Sequence, residues 1–170
     1  MPLGKPVIFT AYEDANLMHD ITTGKSVTGN IHLVNKTIID TYSKKQPVVQ
    51  TATYGSEFMA ARTTVEQIID LRTTFRYLGV KVLGPTYMFG DNQSVVQTCD
   101  VSKGRMHKRH NLLSFHRVRE AIAANIIKFT FIPGNENPAD IVSKHWGYQQ
   151  IWNMLKTMLF WEGDTNLIEY

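Results

Sequence analysis

The chain reads as an α/β domain, a mixed sheet covered by helices. Three observations predict this. Short apolar runs at residues 7–12, 87–89 and 127–131 have strand character. From Thr53 to Leu78 the apolar spacing changes to that of a helix. A hairpin-like opening then gives way to strands alternating with helices, the order of a mixed sheet with helical cover.

The elements follow in turn. Val7 to Tyr12 is β-prone and apolar, suits a strand buried on both faces, and ends in Glu13-Asp14. Gly29 to Tyr42 divides into two strands about a turn near Asn35-Lys36, although Asn-Gly would mark such a turn more strongly. Val65, Ile68, Ile69, Phe75 and Leu78 recur at helical spacings, predicting one long amphipathic helix that Gly79 stops. Tyr87 to Phe89 makes the next strand, and Gln93 opens a short helix. Leu112, Phe115, Val118 and Ile122 share one face of a further helix. Ile127, Phe129 and Phe131 alternate with Lys128 and Thr130 as a strand. Pro133-Gly134 breaks it, Asn137-Pro138 opens a helix, and Ile151 to Phe160 forms a closing one.

At 170 residues the chain is expected to be one domain spanning 1–170, with 43% hydrophobic and 19% charged residues as in ordinary globular proteins. No apolar stretch reaches the ~20 residues that span a bilayer. The opening Met-Pro-Leu-Gly-Lys-Pro lacks a signal or transit pattern, and a lone Cys99 offers neither an internal disulfide nor a zinc cluster. The expectation is an intracellular protein with no membrane partner. A net charge of +3 permits a polyanionic partner without requiring one. Lys103, Arg105, Lys108 and Arg109 gather with His107 and His110, and no acid stands between Asp100 and Glu120. Such a run is either a solvated face or a phosphate-binding one.

Four acids stand at element ends. Asp14 follows the first strand, and Asp91 follows Tyr87-Met88-Phe89-Gly90. Glu57 lies in the opening turns of the long helix, and Asp140 lies beyond the last strand and its loop. Singly, each has a plainer role: Asp14 as a turn acid, Glu57 as a charge favoured at a helix N-terminus, Asp91 as a helix cap, Asp140 as surface. If the first and fourth strands are parallel neighbours, ~4.8 Å apart, Asp14 and Asp91 project from one edge of the sheet. Helix starts then bring Glu57 and Asp140 towards it. Four such carboxylates repel unless a cation is present, and hard oxygen donors suit Mg²⁺ or Mn²⁺.

A series of segments, in order from about residue 8 to residue 160, carries a family likeness. It comprises Ala11-Tyr12-Glu13-Asp14-Ala15-Asn16, Lys25-Ser26-Val27-Thr28-Gly29, Ser43-Lys44-Lys45-Gln46, Ser56-Glu57-Phe58-Met59-Ala60 and Asp91-Asn92-Gln93-Ser94. Arg109-His110, His116-Arg117-Val118-Arg119-Glu120 and Pro138-Ala139-Asp140-Ile141-Val142-Ser143-Lys144 complete it. The series resembles the ribonuclease H domain of copia-type LTR retrotransposon polyproteins. That resemblance implies a ribonuclease H-like fold, a mixed five-stranded sheet of order 3-2-1-4-5 flanked by helices. It implies that Asp14, Glu57, Asp91 and Asp140 are the catalytic, metal-binding set, holding two Mg²⁺ (or Mn²⁺). The implied reaction hydrolyses the RNA strand of an RNA–DNA hybrid, leaving 5′-phosphate ends, during reverse transcription and with no small-molecule cofactor. Glu57 would read a ribose 2′-OH. Lys44, Lys45, Gln46, Asn92, Lys103, Arg105, Lys108, Arg109 and His110 would contact the nucleic acid. The implied partner is the reverse transcriptase polymerase of a parent polyprotein, in the cytoplasm within virus-like particles.

Three departures stand out. Asn16 and Leu17 replace an Asp-Trp pair of the first box, which alters packing more than chemistry because Asp14 holds the catalytic slot. The loop from Phe131 to Asn137 lacks the His that cellular enzymes carry, leaving Glu136 or His145 to substitute. His145 also reads as a surface or packing residue beside Trp146. The chain starts near its first strand without polymerase motifs, as a segment of a longer polyprotein would. Of the late aromatics (Trp146, Trp152, Phe160, Trp161), Trp161 is the candidate for docking a polymerase. A nucleic-acid-binding domain without activity is the alternative class. An integrase-type nuclease core fits Glu57 and the Asp140 context less well.

Overall fold

A computed structural model describes residues 4–100, 111–147, 151, 152, 155 and 158. β1 (Phe9–Asp20), β2 (Lys25–Val34) and β3 (Thr37–Lys45) form an antiparallel meander. The long helix α1 (Thr53–Tyr77) crosses to β4 (Thr86–Gly90), which pairs parallel with β1. Helices α2 (Gln93–Asp100) and α3 (Leu112–Ala123) lead to β5 (Ile127–Phe131), parallel to β4. A single 3₁₀ turn at Gly134–Glu136 and the short α4 (Asp140–Ser143) follow. The sheet order is β3-β2-β1-β4-β5, the order that the resemblance implied. Among the described residues no helix is long and apolar enough to cross a membrane.

The turn joining β2 to β3 falls at Asn35-Lys36. Both residues have positive φ (49° and 72°), the backbone that a two-residue hairpin turn needs. Asn tolerates that conformation better than most residues, and Asn35 Oδ1 also accepts the Ile8 N–H at 2.9 Å. This second tie compensates for the weak turn pair.

The core lies between one face of the sheet and the helices. Phe9, Ala11, Met88 and Ile127 meet Phe58, Val65 and Ile68 of α1 and Phe115 and Val118 of α3. Phe58 meets Phe115 edge-on, ring centres 6.0 Å apart. Burying a side chain of that size contributes about 1.5–3 kcal/mol. Phe58 therefore anchors the first turns of α1, and its neighbour Glu57 inherits a fixed position.

The structure departs from the expected elements in several places, and one expected element lies mostly outside the described residues. β1 does not end at the acids. It runs on to Asp20 because β2 continues to pair with it through Asn16↔Val27 and Asp20↔Lys25, and β2 accordingly starts at Lys25 rather than Gly29. The helix expected to open at Asn137-Pro138 starts at Asp140; residues 138–139 form a turn in which Asn137 Oδ1 accepts the Ala139 N–H at 3.1 Å. Phe131 is 40% exposed, since the strand ends there and the inward alternation stops. The helix expected over Ile151 to Phe160 falls mostly outside the described residues, as does Trp161.

Candidate active site

The parallel pairing of β1 with β4 ends at Glu13↔Gly90, so Asp14 lies one residue beyond it and Asp91 follows directly on β4. Asp14 is nevertheless inside the sheet on its other side, paired with Gly29 of β2. α1 begins at Thr53 and presents Glu57 about one turn later. One carboxylate oxygen from each of Asp14, Glu57 and Asp91 lies within 4.8 Å of the others. Asp14 and Glu57 are only 1% and 3% exposed. The three acids open onto a cleft of about 470 Å³ that Asn92, Ser94 and Lys144 also line.

Asp140 reaches this group by a different route. It stands outside the three-acid cluster and is engaged by Lys144, whose Nζ donates to Asp140 Oδ1 and lies 3.6 Å from Asp14 Oδ2. Ser143 Oγ donates to the same Asp14 oxygen. Trp146 Nε1 donates to the Asp140 carbonyl at 2.8 Å, which ties the chain after α4 back onto it. The sequence-derived quartet is thus three acids in mutual reach and a fourth beside Asp14, with the Lys144 ammonium between that pair.

Crowding governs the electrostatics. Burial, followed by the charges of Glu13, Asp14 and Asp91, holds the Glu57 carboxyl well above the usual range, with Lys144 opposing. Burial and then Asp14 push Asp91 up to about 6. Asp140 is raised by burial despite its bond to Lys144. Burial alone would lower Lys144, but its bond to Asp140 and the nearby acids outweigh that and raise it. Glu57 Oε2 is buried with no hydrogen-bond partner among the described residues. An all-carboxylate donor set with an orphaned buried oxygen fits a hard divalent cation, which Asp14, Glu57 and Asp91 would hold.

Sequence reasoning missed four participants. Glu13 is a fifth acid, 1% exposed on the face shared with Phe9 and Ala11, and raised well above the usual range by burial, then Asp14 and Asp91. A Cβ on Gly90 would lie 2.2 Å from Glu13 Oε1, so the glycine at the tip of β4 makes room for this carboxyl. Asn137 Nδ2 donates to the Glu13 carbonyl at 2.8 Å and so fixes the loop after β5 against β1. Ser143 and Lys144 are the others. The Asp140/Lys144 spacing of four, the helical ion-pair spacing, was the available signal for Lys144.

α4 lies close over β2. A Cβ on Gly29 would sit 2.8 Å from both Cβ and backbone N of Ser143 and 3.0 Å from the Ala139 carbonyl. Backbone atoms cannot swing aside as a side-chain tip can. Gly29→Ala is therefore expected to destabilise the fold by about 1–3 kcal/mol, the usual cost of overpacking. Urea unfolding measures it, and an unchanged midpoint would show that α4 yields freely.

The expected nucleic-acid contacts divide three ways. Lys44 and Lys45 are exposed, in register with Thr28 and Val27 of β2, which themselves pair with Ala15 and Asn16 just past Asp14. Two strand spacings, ~9.6 Å, separate them from that part of β1. Lys45 also pairs with Asp20 at 2.7 Å. Asn92 lines the cleft and its Oδ1 accepts the Val95 N–H at 3.2 Å, the cap of α2. Gln46 does not fit the expectation. It is 3% exposed, its amide donating to Thr28 Oγ1 and the Ser56 carbonyl, because the chain leaving β3 turns in beneath α1. Lys103, Arg105, Lys108, Arg109 and His110 lie outside the described residues. Of the candidates for the missing loop histidine, Glu136 is exposed on the 3₁₀ turn whose Gly134 abuts Asp91. His145 is exposed with its ring 4.6 Å from that of His19.

No protein-family model matches the chain. A retrovirus-related Pol polyprotein from transposon TNT 1-94 of Nicotiana tabacum is 31% identical over 144 residues, 83% of this chain. The chain spans 10% of that relative's length. Among solved structures, RNase H1 from the halophilic archaeon Halobacterium salinarum matches with a TM-score of 0.60 at 14% identity, covering 88% of this chain and 98% of that one. LC11-RNase H1 in complex with an RNA/DNA hybrid matches with a TM-score of 0.57 at 16% identity, covering 76% of this chain and 88% of that one. The chain is a homologue of a short stretch of the retrovirus-related Pol polyproteins of plant transposons, and it has the fold of ribonuclease H domains.

Proposed function

We propose that this chain is a metal-dependent endoribonuclease that hydrolyses the RNA strand of RNA–DNA hybrids, working beside the polymerase of a parent polyprotein during reverse transcription. The observation that carries this reading is the convergence of Asp14, Glu57 and Asp91 from three separate elements at one sheet edge. The fold shared with a ribonuclease H1 bound to an RNA/DNA hybrid supports the substrate. Two divalent ions, Mg²⁺ or Mn²⁺, held by Asp14, Glu57, Asp91 and Asp140, would supply an activated water and stabilise the leaving 3′ oxygen. Cleavage in that sense leaves 5′-phosphate ends.

The chain's own residues supply the rest. Asp14 belongs to the three-acid cluster and also meets the side chains of Ser143 and Lys144, so it joins both halves of the set. Glu57, held rigidly beside Phe58, is the carboxylate proposed to accept a hydrogen bond from a ribose 2′-OH, the group that separates RNA from DNA. Lys44 and Lys45 would hold phosphates, positioning the strand without reading its sequence. Asn92 spends its Oδ1 on α2, which leaves its Nδ2 hydrogens for a phosphate. The place of action proposed is the cytoplasm, within particles of the parent element.

A labelled hybrid incubated with the protein and Mg²⁺ or Mn²⁺ tests the proposal. Ion-dependent cleavage of the RNA strand, slowed by at least about tenfold in Asp91→Asn, is the expected result. Binding without ion-dependent cleavage would leave only a nucleic-acid-binding domain. Cleavage of an all-DNA duplex at equal rate would point to an integrase-type nuclease.

A further inference from the structure

We infer that Lys144 is a built-in counter-cation that occupies the Asp140 side of the acid set and must be displaced before a second metal ion can load there. The inference rests on the metal-dependent reading above and adds a residue that controls the order of loading.

Three observations carry it. First, the acids are divided. Asp14, Glu57 and Asp91 are within mutual reach, whereas Asp140 lies outside that cluster, beside Asp14, and is bonded by Lys144. Second, the ammonium stands where a cation shared between Asp14 and Asp140 would be needed, bonded to one and 3.6 Å from the other. A divalent ion bound to the same two carboxylates would meet a like charge at close range, so the two cations compete. Third, Lys144 can leave. It caps the end of α4 in extended backbone, and its side chain is 36% exposed and borders the cleft. A flexible four-carbon stem carrying a point charge suits that exchange better than the planar fork of arginine.

The first ion then enters the Asp14–Glu57–Asp91 cluster, where the ammonium reaches Asp14 at 3.6 Å but is bonded to Asp140 outside it. The second binds only when Lys144 swings outward, where a substrate phosphate would receive the ammonium. Loading of the second ion is thereby coupled to substrate, and the substrate-free site is protected from repulsion between Asp14 and Asp140.

The test is a Mn²⁺ titration of the whole chain without nucleic acid, followed by calorimetry and by the spin signal of free Mn²⁺. It compares wild type, Lys144→Met, Lys144→Gln and Lys144→Arg, with circular dichroism to confirm folding. Wild type is expected to hold one Mn²⁺ well and a second weakly. Lys144→Met and Lys144→Gln should tighten the second by about tenfold or more, the scale on which neighbours of metal ligands tune affinity. Lys144→Arg, which keeps the charge and leaves less readily, should hold the second ion as weakly as wild type or more weakly. In chelator, the two neutral variants should melt below wild type, and Mn²⁺ should close that gap. A lysine that served only as a structural ion pair would lower the melting temperature and leave both affinities unchanged, which overturns the inference while leaving the nuclease reading intact. Absence of Mn²⁺ binding in all the proteins overturns both.

Discussion

Glu57→Gln is expected to raise the melting temperature of the metal-free protein at pH 8 and to cut hybrid cleavage by on the order of 10²–10³-fold, the scale set by losing one preorganised electrostatic contact to a reacting group. The two effects have one cause. Glu57 is 3% exposed, has an unpartnered Oε2, and faces Glu13, Asp14 and Asp91. Without an ion, a buried group of this kind costs about 1–3 kcal/mol. Glutamine keeps the shape and removes the charge, and at about 2–4 °C per kcal/mol for a chain of this size the gain is a few degrees. The same change removes an anionic oxygen from the cluster that would hold the ion. Mg²⁺ should therefore raise the melting temperature of wild type more than that of the variant, so that the two curves approach or cross. Thermal melts in chelator and in Mg²⁺, beside the hybrid assay, measure both effects. A variant less stable than wild type in chelator would mean that Glu57 is held by contacts beyond its charge environment, and would sink this account of the site.

The site is strained in this way because its scaffold imposes it, and much of that scaffold was legible. The change from strand to helical spacing at Thr53, and the alternation at Ile127 to Phe131, are local signals tied to burial, and both elements form where expected. The parallel placement of β1 beside β4 followed from the order of elements, so the meeting of Asp14 with Asp91 could be anticipated. What failed was the inference from polarity to exposure. Glu13-Asp14 looked like the end of a strand because adjacent acids are normally solvated. Here β2 carries the pairing on, and α4 covers Asp14 from the far end of the chain. With β1 extended, its alternation places Glu13 on the face of Phe9 and Ala11, inside the core.

Gln46 failed for the same reason. A polar residue after two exposed lysines looked available to a phosphate, but it is consumed by Thr28 and the Ser56 carbonyl, partners distant in sequence. Lys144 closes the motif that runs from Pro138, yet nothing local shows that its ammonium meets Asp14, 130 residues earlier. Helix period and strand period are local quantities. Which buried acid has a counter-charge depends on where the ends of the chain meet, and only the fold supplies that.

The pH dependence of the metal-free protein offers a second large and unusual effect. Most proteins lose stability as carboxylates are protonated, whereas this one should gain between pH 8 and about 6. Glu13, Glu57 and Asp140 have folded-state values above their ordinary ones, with burial the first cause in each, and Asp91 is raised to about 6. A group whose folded value is raised binds more protons in the native state than in the unfolded one. Its contribution is therefore fully present below the unfolded value and is lost as pH rises through the folded value. Two groups oppose this trend lower down. Burial pulls His32 down to about 4 even against the opposing pull of Asp40 3.4 Å away, so the native state resists its protonation below about 6.5. Asp20, bonded to Lys45, is held well below the usual carboxylate range and costs stability only in strong acid. The melting temperature in chelator should accordingly fall as pH rises from 6 to 8. Below about pH 6.5 His32 should slow the gain without reversing it, since four raised acids outweigh one depressed histidine. Saturating Mg²⁺ should reverse the upper limb, because ligand carboxylates bind the ion only when ionised and affinity rises with pH. Melting curves from pH 5 to 8.5, with and without Mg²⁺, check the sign directly. A chelator curve that is flat or rises between pH 6 and 8 would mean that the acids at the sheet edge are not mutually destabilising.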